Sequence, residues 1–220
     1  MLSLNRVDYH PATSKAPVLQ GITLTANKGE TVIISGPSGS GKTSLIEIIG
    51  GLASQKEGEI KWEGITLSTK ARRSLCGVVF QFPERHFLGL TISQELQLGH
   101  RRISTEKKLK ALTQVGLKDI ELQQAPERLS GGQQRRLAVA IQLIRKPKIL
   151  ILDEPTAGLD WSVRNEILEL FKYLSKEQLL IICTHEPELF NYSKVSSYQL
   201  VKGKINSTDT ITKVIHKNAR

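Results

Sequence analysis

Eight consecutive residues, Gly36-Pro37-Ser38-Gly39-Ser40-Gly41-Lys42-Thr43, follow the pattern G-x-x-x-x-G-K-[ST] directly after the β-branched run Thr31-Val32-Ile33-Ile34. Glycines at 36, 39 and 41 let the backbone turn tightly and place no Cβ between main-chain N–H groups and a polyphosphate. Lys42 would reach the outer phosphates. Thr43, followed by Ser44, opens the next helix, where a hydroxyl can ligate Mg²⁺ while the helix dipole faces the anion. Alone, this segment predicts binding of ATP or GTP.

Two further segments carry chemistry. Ile149-Leu150-Ile151-Leu152 ends in Asp153-Glu154, which puts two carboxylates at the C-terminal end of a buried strand, where open α/β sheets bind ligands. This is a Walker B pattern. Asp153 is placed to hold Mg²⁺ through water, and Glu154 is free to orient or deprotonate an attacking water. Leu129-Ser130-Gly131-Gly132-Gln133 precedes a helical pattern marked by Leu137, Ala140, Ile141 and Ile144. Ser130 reads as the N-cap of that helix, and the glycines leave its first N–H groups open to an anion. The segment is therefore either a plain helix cap or a second phosphate-binding surface, which one nucleotide does not obviously need.

The elements that must position these residues read as a β-α-β alternation, implying a mostly parallel sheet covered by helices. Strands are expected at Thr31–Ile34, Ile149–Leu152 and Leu179–Cys183, with a helix from about Trp161 to Leu174. Leu45, Ile46, Ile48 and Ile49 form the buried side of a helix that Gly50-Gly51 ends. Leu2 to Val7, Gly21 to Ala26 and Glu59 to Trp62 read as a small antiparallel sheet that would flank the base. Val195 to Val201 with Lys204 to Asn206 reads as a closing hairpin. From about Thr91 to Leu122 the pattern is that of an amphipathic helix, with Arg101, Arg102, Lys107, Lys108 and Lys110 as a solvated or lipid-facing cluster. The α-helical subdomain is placed at about 82–145 within one ATP-binding domain, 1–220, ending in a basic tail from about 207.

A chain of 220 residues, 39% hydrophobic, suffices for one well-cored domain. Its net charge of +10 favours an anionic partner without choosing among nucleic acid, lipid and nucleotide. The apolar runs are strand-length, well short of the ~18 residues of a membrane span. The N-terminal residues alternate like a strand rather than a signal peptide, so a cytosol-like compartment is expected. Cys76 and Cys183 lie in apolar runs and are expected to be buried thiols. His10, His86 and His100 have no second ligand at metal spacing and read as surface or groove residues.

With Leu129 to Gln133 in place, nearly the whole chain resembles the ATP-binding cassette family, whose signature motif reads this way. Other marks stand in family order: Tyr9 after the first strand, Gln81, Gly158-Leu159-Asp160 and His185 after Cys183-Thr184. The resemblance implies a P-loop NTPase core with a small antiparallel subdomain and an inserted helical one. It also implies ATP and Mg²⁺ as ligands, with Tyr9 stacked on adenine and the loop from Gly36 to Ser44 around the phosphates. Thr43, Gln81 and Asp153 would hold the metal, Glu154 would polarise water, and His185 would sense the γ-phosphate. Ser130 and Gly132, with Gly131 and Gln133 beside them, would contact ATP bound to a second chain across an isologous interface that includes Asp160. The dimer could be a homodimer or include a different cassette.

Gln81-Phe82-Pro83-Glu84-Arg85-His86-Phe87-Leu88 is similar to cassettes of energy-coupling-factor type, although these often carry Gln where His86 stands and a longer C-terminal extension. Phe82, Phe87, Leu88 and Leu90 either line an exposed groove for a permease helix or core the subdomain. The function implied is an ATP-hydrolysing subunit on the cytoplasmic face of a membrane. It would power separate permease subunits, importing a small nutrient, vitamin or metal ion. The alternatives are a soluble cassette ATPase in nucleic-acid transactions or in cofactor or cluster assembly; no direct nucleic-acid contact is expected.

Overall fold

The computed structural model describes residues 1–191 and 194–208. The chain opens with an antiparallel pair, β1 (Leu2–Tyr9) and β2 (Leu19–Ala26), and sends β3 (Thr31–Ser35) into a second sheet. Through α1 (Lys42–Ile49) it returns to the first sheet with β4 (Glu57–Trp62) and β5 (Ile65–Thr66). Helix α2 (Thr69–Leu75) leads into β6 (Cys76–Val79). Between β6 and β7 (Ile149–Asp153) the described regular structure is helical: α3 (Ile92–Gln97), α4 (Thr105–Gln114), α5 (Gly131–Ile144) and short 3₁₀ turns. Helix α6 (Trp161–Leu174) then joins β7 to β8 (Leu179–Cys183), and β9 (Val195–Val201) with β10 (Lys204–Ser207) makes the closing hairpin. The larger sheet has the order β10-β9-β3-β8-β7-β6 and is parallel except for β10.

Both faces of this sheet are covered, which is why β7 and β8 read as unbroken apolar runs. Leu150, Leu152, Leu180 and Ile182 pack into one core with α5 and α6, whereas Ile149, Ile151, Leu179 and Ile181 pack into the other with α1 and the antiparallel sheet. Every residue of the two strands is buried, and Cys76 and Cys183 are buried free thiols.

The end of α1 shows how this scaffold is held. Gly51 takes φ +72°, and a Cβ there would stand 2.3 Å from the Thr69 carbonyl. The buried Arg72 donates to the Ile48 carbonyl at 2.6 Å, which also accepts the Gly51 N–H, and Arg73 donates to the Gly51 carbonyl at 3.1 Å, so α2 is pinned to the end of α1.

The expected helix over 91–122 is two helices. Gly99 at φ +76° breaks it after α3, and Gly116 at φ +75° follows the end of α4. The basic cluster divides accordingly. Arg101 and Arg102 precede α4, whereas Lys108 is buried and donates to the Ser93 carbonyl and hydroxyl, each at 2.9 Å, tying α4 to α3. Strand β5 and helix α2 were not expected: one is two residues long, and α2 carries too few apolar residues to show a periodicity. The basic tail lies outside the described residues beyond Thr208.

Candidate active site

Sheet register sets the site. Ile34 on β3 and Asp153 on β7 both pair with Cys183 on β8, so three strands end in one row. The chain then leaves the sheet at adjacent points, into the glycine loop after Ser35, into His185 after Thr184, and into Glu154. A cleft of about 370 Å³ lies above this row. Of the expected residues, Ser38, Gly39, Gly41, Lys42, Thr43 and Ser44 line it from the loop and α1, and Gln81, Asp153, Glu154 and His185 face them. Gly36, Pro37 and Ser40 shape the loop without lining the cleft. A Cβ on Gly36 would stand 2.1 Å from the Leu200 carbonyl, and Pro37 accepts from the Ser40 N–H at 3.2 Å.

Inside the cleft the side chains are already oriented. Lys42 Nζ donates to the Gly36 carbonyl at 2.7 Å and lies 3.4 Å from His185 Nε2. Thr43 donates to Asp153 Oδ2 at 3.3 Å. Burial, and then the neighbouring Glu154, raises the Asp153 pKa from its ordinary value, while the Thr43 hydrogen bond and Lys42 oppose them. Glu154 sits at φ +45°, its N–H bonded to the Cys183 carbonyl at 2.8 Å. Its Oε2 accepts from the His185 N–H at 3.2 Å, and Oε1 lies 3.2 Å from His185 Nε2. A left-handed backbone at a non-glycine residue is costly, so these contacts over-determine where Glu154 points.

This donor set fits Mg²⁺. Thr43 and Asp153 supply hard oxygens side by side, with Gln81 facing them across the cleft, and a cation would relieve the repulsion between the buried carboxylates.

The small sheet reaches the cleft through Val18. The Val18 N–H donates to the Tyr9 carbonyl at 2.8 Å, and Val18 lines the cleft whereas Tyr9 does not. The hairpin turn at Gly203 fixes this junction, donating to the Ser40 carbonyl at 3.1 Å and accepting from the Gln20 N–H at 2.8 Å. Nothing in the sequence singles out Val18, an apolar residue one position before a strand.

The second glycine-rich helix start lies elsewhere. At the N-terminus of α5, Ser130 Oγ accepts from the Gln133 N–H at 3.3 Å, and Gln133 Oε1 accepts from the Ser130 N–H at 2.9 Å, a complete capping box. Gly132 is packed, since a Cβ there would stand 2.2 Å from Val163 Cγ1, whereas a Cβ on Gly131 would meet nothing within 4 Å. Ser130, Gly131, Gly132, Gln133 and Asp160 do not line the cleft of their own chain. Asp160 is exposed at the N-cap of α6 and makes no side-chain cap bond. Arg164 on α6 pairs with Glu186, next to His185, at 3.0 Å, and Arg136 on α5 pairs with Glu166 on α6.

A third feature is a groove of about 490 Å³ between β6 and the helical segment, lined by Val79, Phe80, Pro83, His86, Phe87 and Ile141 among others. Phe87 is there as expected. Phe82 instead approaches Gly158 and carries the Arg85 guanidinium 4.7 Å from its ring centroid, and Leu88 and Leu90, each 80% exposed, do not line the groove.

The family model for the ABC transporter matches residues 19–157. ABC transporter I family member 11, chloroplastic, from Arabidopsis thaliana, is 37% identical over 201 residues, covering 84% of this chain and 72% of that protein. Energy-coupling factor transporter ATP-binding protein EcfA2 from Lactococcus lactis is 33% identical over 237 residues, covering 99% of this chain and 81% of its own length. Among solved structures, the dimeric ATP-binding cassette MJ0796 in a post-hydrolysis state with ADP and Pi superposes with a TM-score of 0.79. It has 30% identity and covers 94% of this chain and 97% of that one. A phosphate loop, a buried acidic pair and a histidine on three adjacent strand ends thus occur in a chain that matches this family over most of its length: the protein belongs to the ABC transporter family and is an ATP-binding, Mg²⁺-dependent ATPase.

Proposed function

We propose that the chain is the ATP-driven engine of an importer for a small nutrient, vitamin or metal ion, working as a dimer on the cytoplasmic face of a membrane beside separate permease subunits. The observation that carries this reading is the groove beside β6. Its apolar lining includes Phe87, and the exposed Leu88 and Leu90 follow Phe87 directly, so a short amphipathic helix of a permease would bury apolar surface from both. Among the described residues no helix is long and apolar enough to cross a membrane, and this reading assigns the translocation path to the separate permease subunits.

The reaction would run as follows. The backbone N–H groups around Gly39 and Gly41 take the phosphates, and Lys42 turns from the loop carbonyls to the β- and γ-oxygens. Thr43, Asp153 and Gln81 would hold Mg²⁺, which would supply charge neutralisation to the bound phosphates. Glu154, held by His185, orients water in line with the γ-phosphate and takes its proton, giving ADP and phosphate. His185, beside Lys42, contacts the γ-phosphate and is released with it.

Closure involves two copies. In one chain the α5 N-terminus has an open glycine and no phosphate site of its own, which suits ATP carried by a second copy across a twofold axis. ATP then closes the interface, and hydrolysis opens it and moves the permease. The test is to purify the chain from detergent-solubilised membranes of its own host, with and without ATP. A stoichiometric polytopic partner is the expected result; only soluble partners, with ATPase activity intact, would assign the engine to a non-transport process.

A further inference from the structure

Arg135 is a buried charged group that this mechanism leaves unused. It lies on the first turns of α5, two residues past Gln133, and is 3% exposed. One donor, Nη2, bonds to the Ala157 carbonyl at 3.0 Å. Ala157 in turn donates to the Glu154 carbonyl at 3.1 Å, closing the turn that starts at the acidic pair and continues through Gly158 to Asp160. Nε and Nη1 are buried and make no hydrogen bond among the described residues.

The acid nearest in influence is Glu84, in the 3₁₀ turn Pro83–His86 that packs on α5. Its Oε2 is also buried without a hydrogen bond. Glu84 stands three residues after Gln81 of the cleft, and its neighbours Pro83, His86 and Phe87 line the groove. A guanidinium keeps its charge even when buried, and leaving a buried charge short of partners is costly. Such a group calls for an explanation, and here its position supplies one: its one hydrogen bond goes to the turn behind the catalytic acid, and its helix packs against the 3₁₀ turn that carries Glu84.

We infer that Arg135 is a positioning residue for hydrolysis, holding the Glu154–Ala157 turn through the Ala157 carbonyl, with Glu84 on the 3₁₀ turn packed against α5 as the counter-charge that keeps the buried guanidinium in place. This rests on the reading of Glu154 as the group that activates water. The fork geometry matters: lysine keeps the charge but lacks the planar guanidinium that presents Nη2 to the Ala157 carbonyl.

The full chain as wild type, Glu84→Gln, Arg135→Lys, the double variant and Glu154→Gln is assayed for kcat and KM with MgATP. Binding of a fluorescent ATP analogue and thermal midpoint are measured in parallel. Glu84→Gln and Arg135→Lys should each lower kcat by about tenfold with KM and analogue affinity within about twofold, because misplacing a catalytic group costs rate rather than binding. The double variant should fall no further than Arg135→Lys alone. Wild-type kcat in either single variant, or losses that multiply in the double, would overturn the inference. If Arg135→Lys does not fold, Glu84→Gln decides by its own kcat. Glu154→Gln is the separate control: normal turnover there removes the water-activating reading itself, whereas its loss beside unchanged Glu84→Gln and Arg135→Lys removes only the role of Arg135.

Discussion

The two glycine-rich helix starts, at α1 and at α5, use the same physics and are built to different degrees. At α1, Gly39 and Gly41 take left-handed φ values of +75° and +107°, and Lys42, Asp153, Glu154 and His185 converge on the same cleft. On the proposed reading, binding groups and reacting groups are both supplied here by one chain. At α5 Ser130 and Gln133 form a capping box, the first glycine faces open space, and neither glycine lines the cleft of the same chain. The α1 start sits in a cleft with acidic and basic side chains and the α5 start does not, which is the asymmetry that the proposed completion of the site by a second copy would require.

The largest effect should come from the complete side. Glu154→Gln should retain ATP binding and lose turnover by about 10²-fold or more, the loss typical of removing one preorganised catalytic group; an ATPase assay with parallel nucleotide binding measures both. Turnover near the wild-type rate would place water activation elsewhere.

The two signature glycines sharpen the comparison next. Gly132→Ala forces a methyl against Val163 and should cost about 1–3 kcal/mol of stability, lowering the melting temperature by about 2–4 °C per kcal/mol. Gly131→Ala should leave melting within about 1–2 °C, since surface changes usually stay within about 0.5 kcal/mol. It should nevertheless lower turnover by about tenfold or more, because its methyl blocks a phosphate approaching from another chain. Calorimetry and ATPase rates on the two variants separate the effects; equal behaviour of both would erase the distinction between a packing glycine and a docking glycine.

How much of this was legible in sequence follows from what each residue must do. Lys42, Asp153 and Glu154 could be read because phosphate and metal chemistry admits few residue types at those spacings. β7 and β8 could be read because burial on both faces leaves an unbroken apolar run. The break at Gly99 was missed because a charged helix face looks the same on either side of it. Gly131 and Gly132 are indistinguishable as letters, and only the position of Val163 separates them. Arg135 was passed over for a similar reason: an arginine on a helix reads as solvated, and only the three-dimensional path of the Glu154–Ala157 turn buries it.

The smallest effect concerns the interior of the sheet beneath the cleft. Burial pushes the Cys76 thiol up to about 12 and Cys183 well above the usual thiol range. Both therefore stay protonated thiols at pH 8. Alkylation by iodoacetamide at that pH should leave native protein unmodified and fully active while labelling both sites in denaturant, as intact-mass measurement would record. Fast native labelling would show the sheet beneath the site to be open.

The most direct test of the account mixes two inactive chains. Lys42→Ala disables the α1 side and Ser130→Arg the α5 side, so a dimer with one chain of each type contains one intact composite site. If the two helix starts meet across chains, an equimolar mixture should recover about a quarter of wild-type ATPase activity, the statistical share of intact sites for random pairing in a twofold dimer. No recovery, from variants that each fold and exchange partners, would contradict a site completed by a second copy.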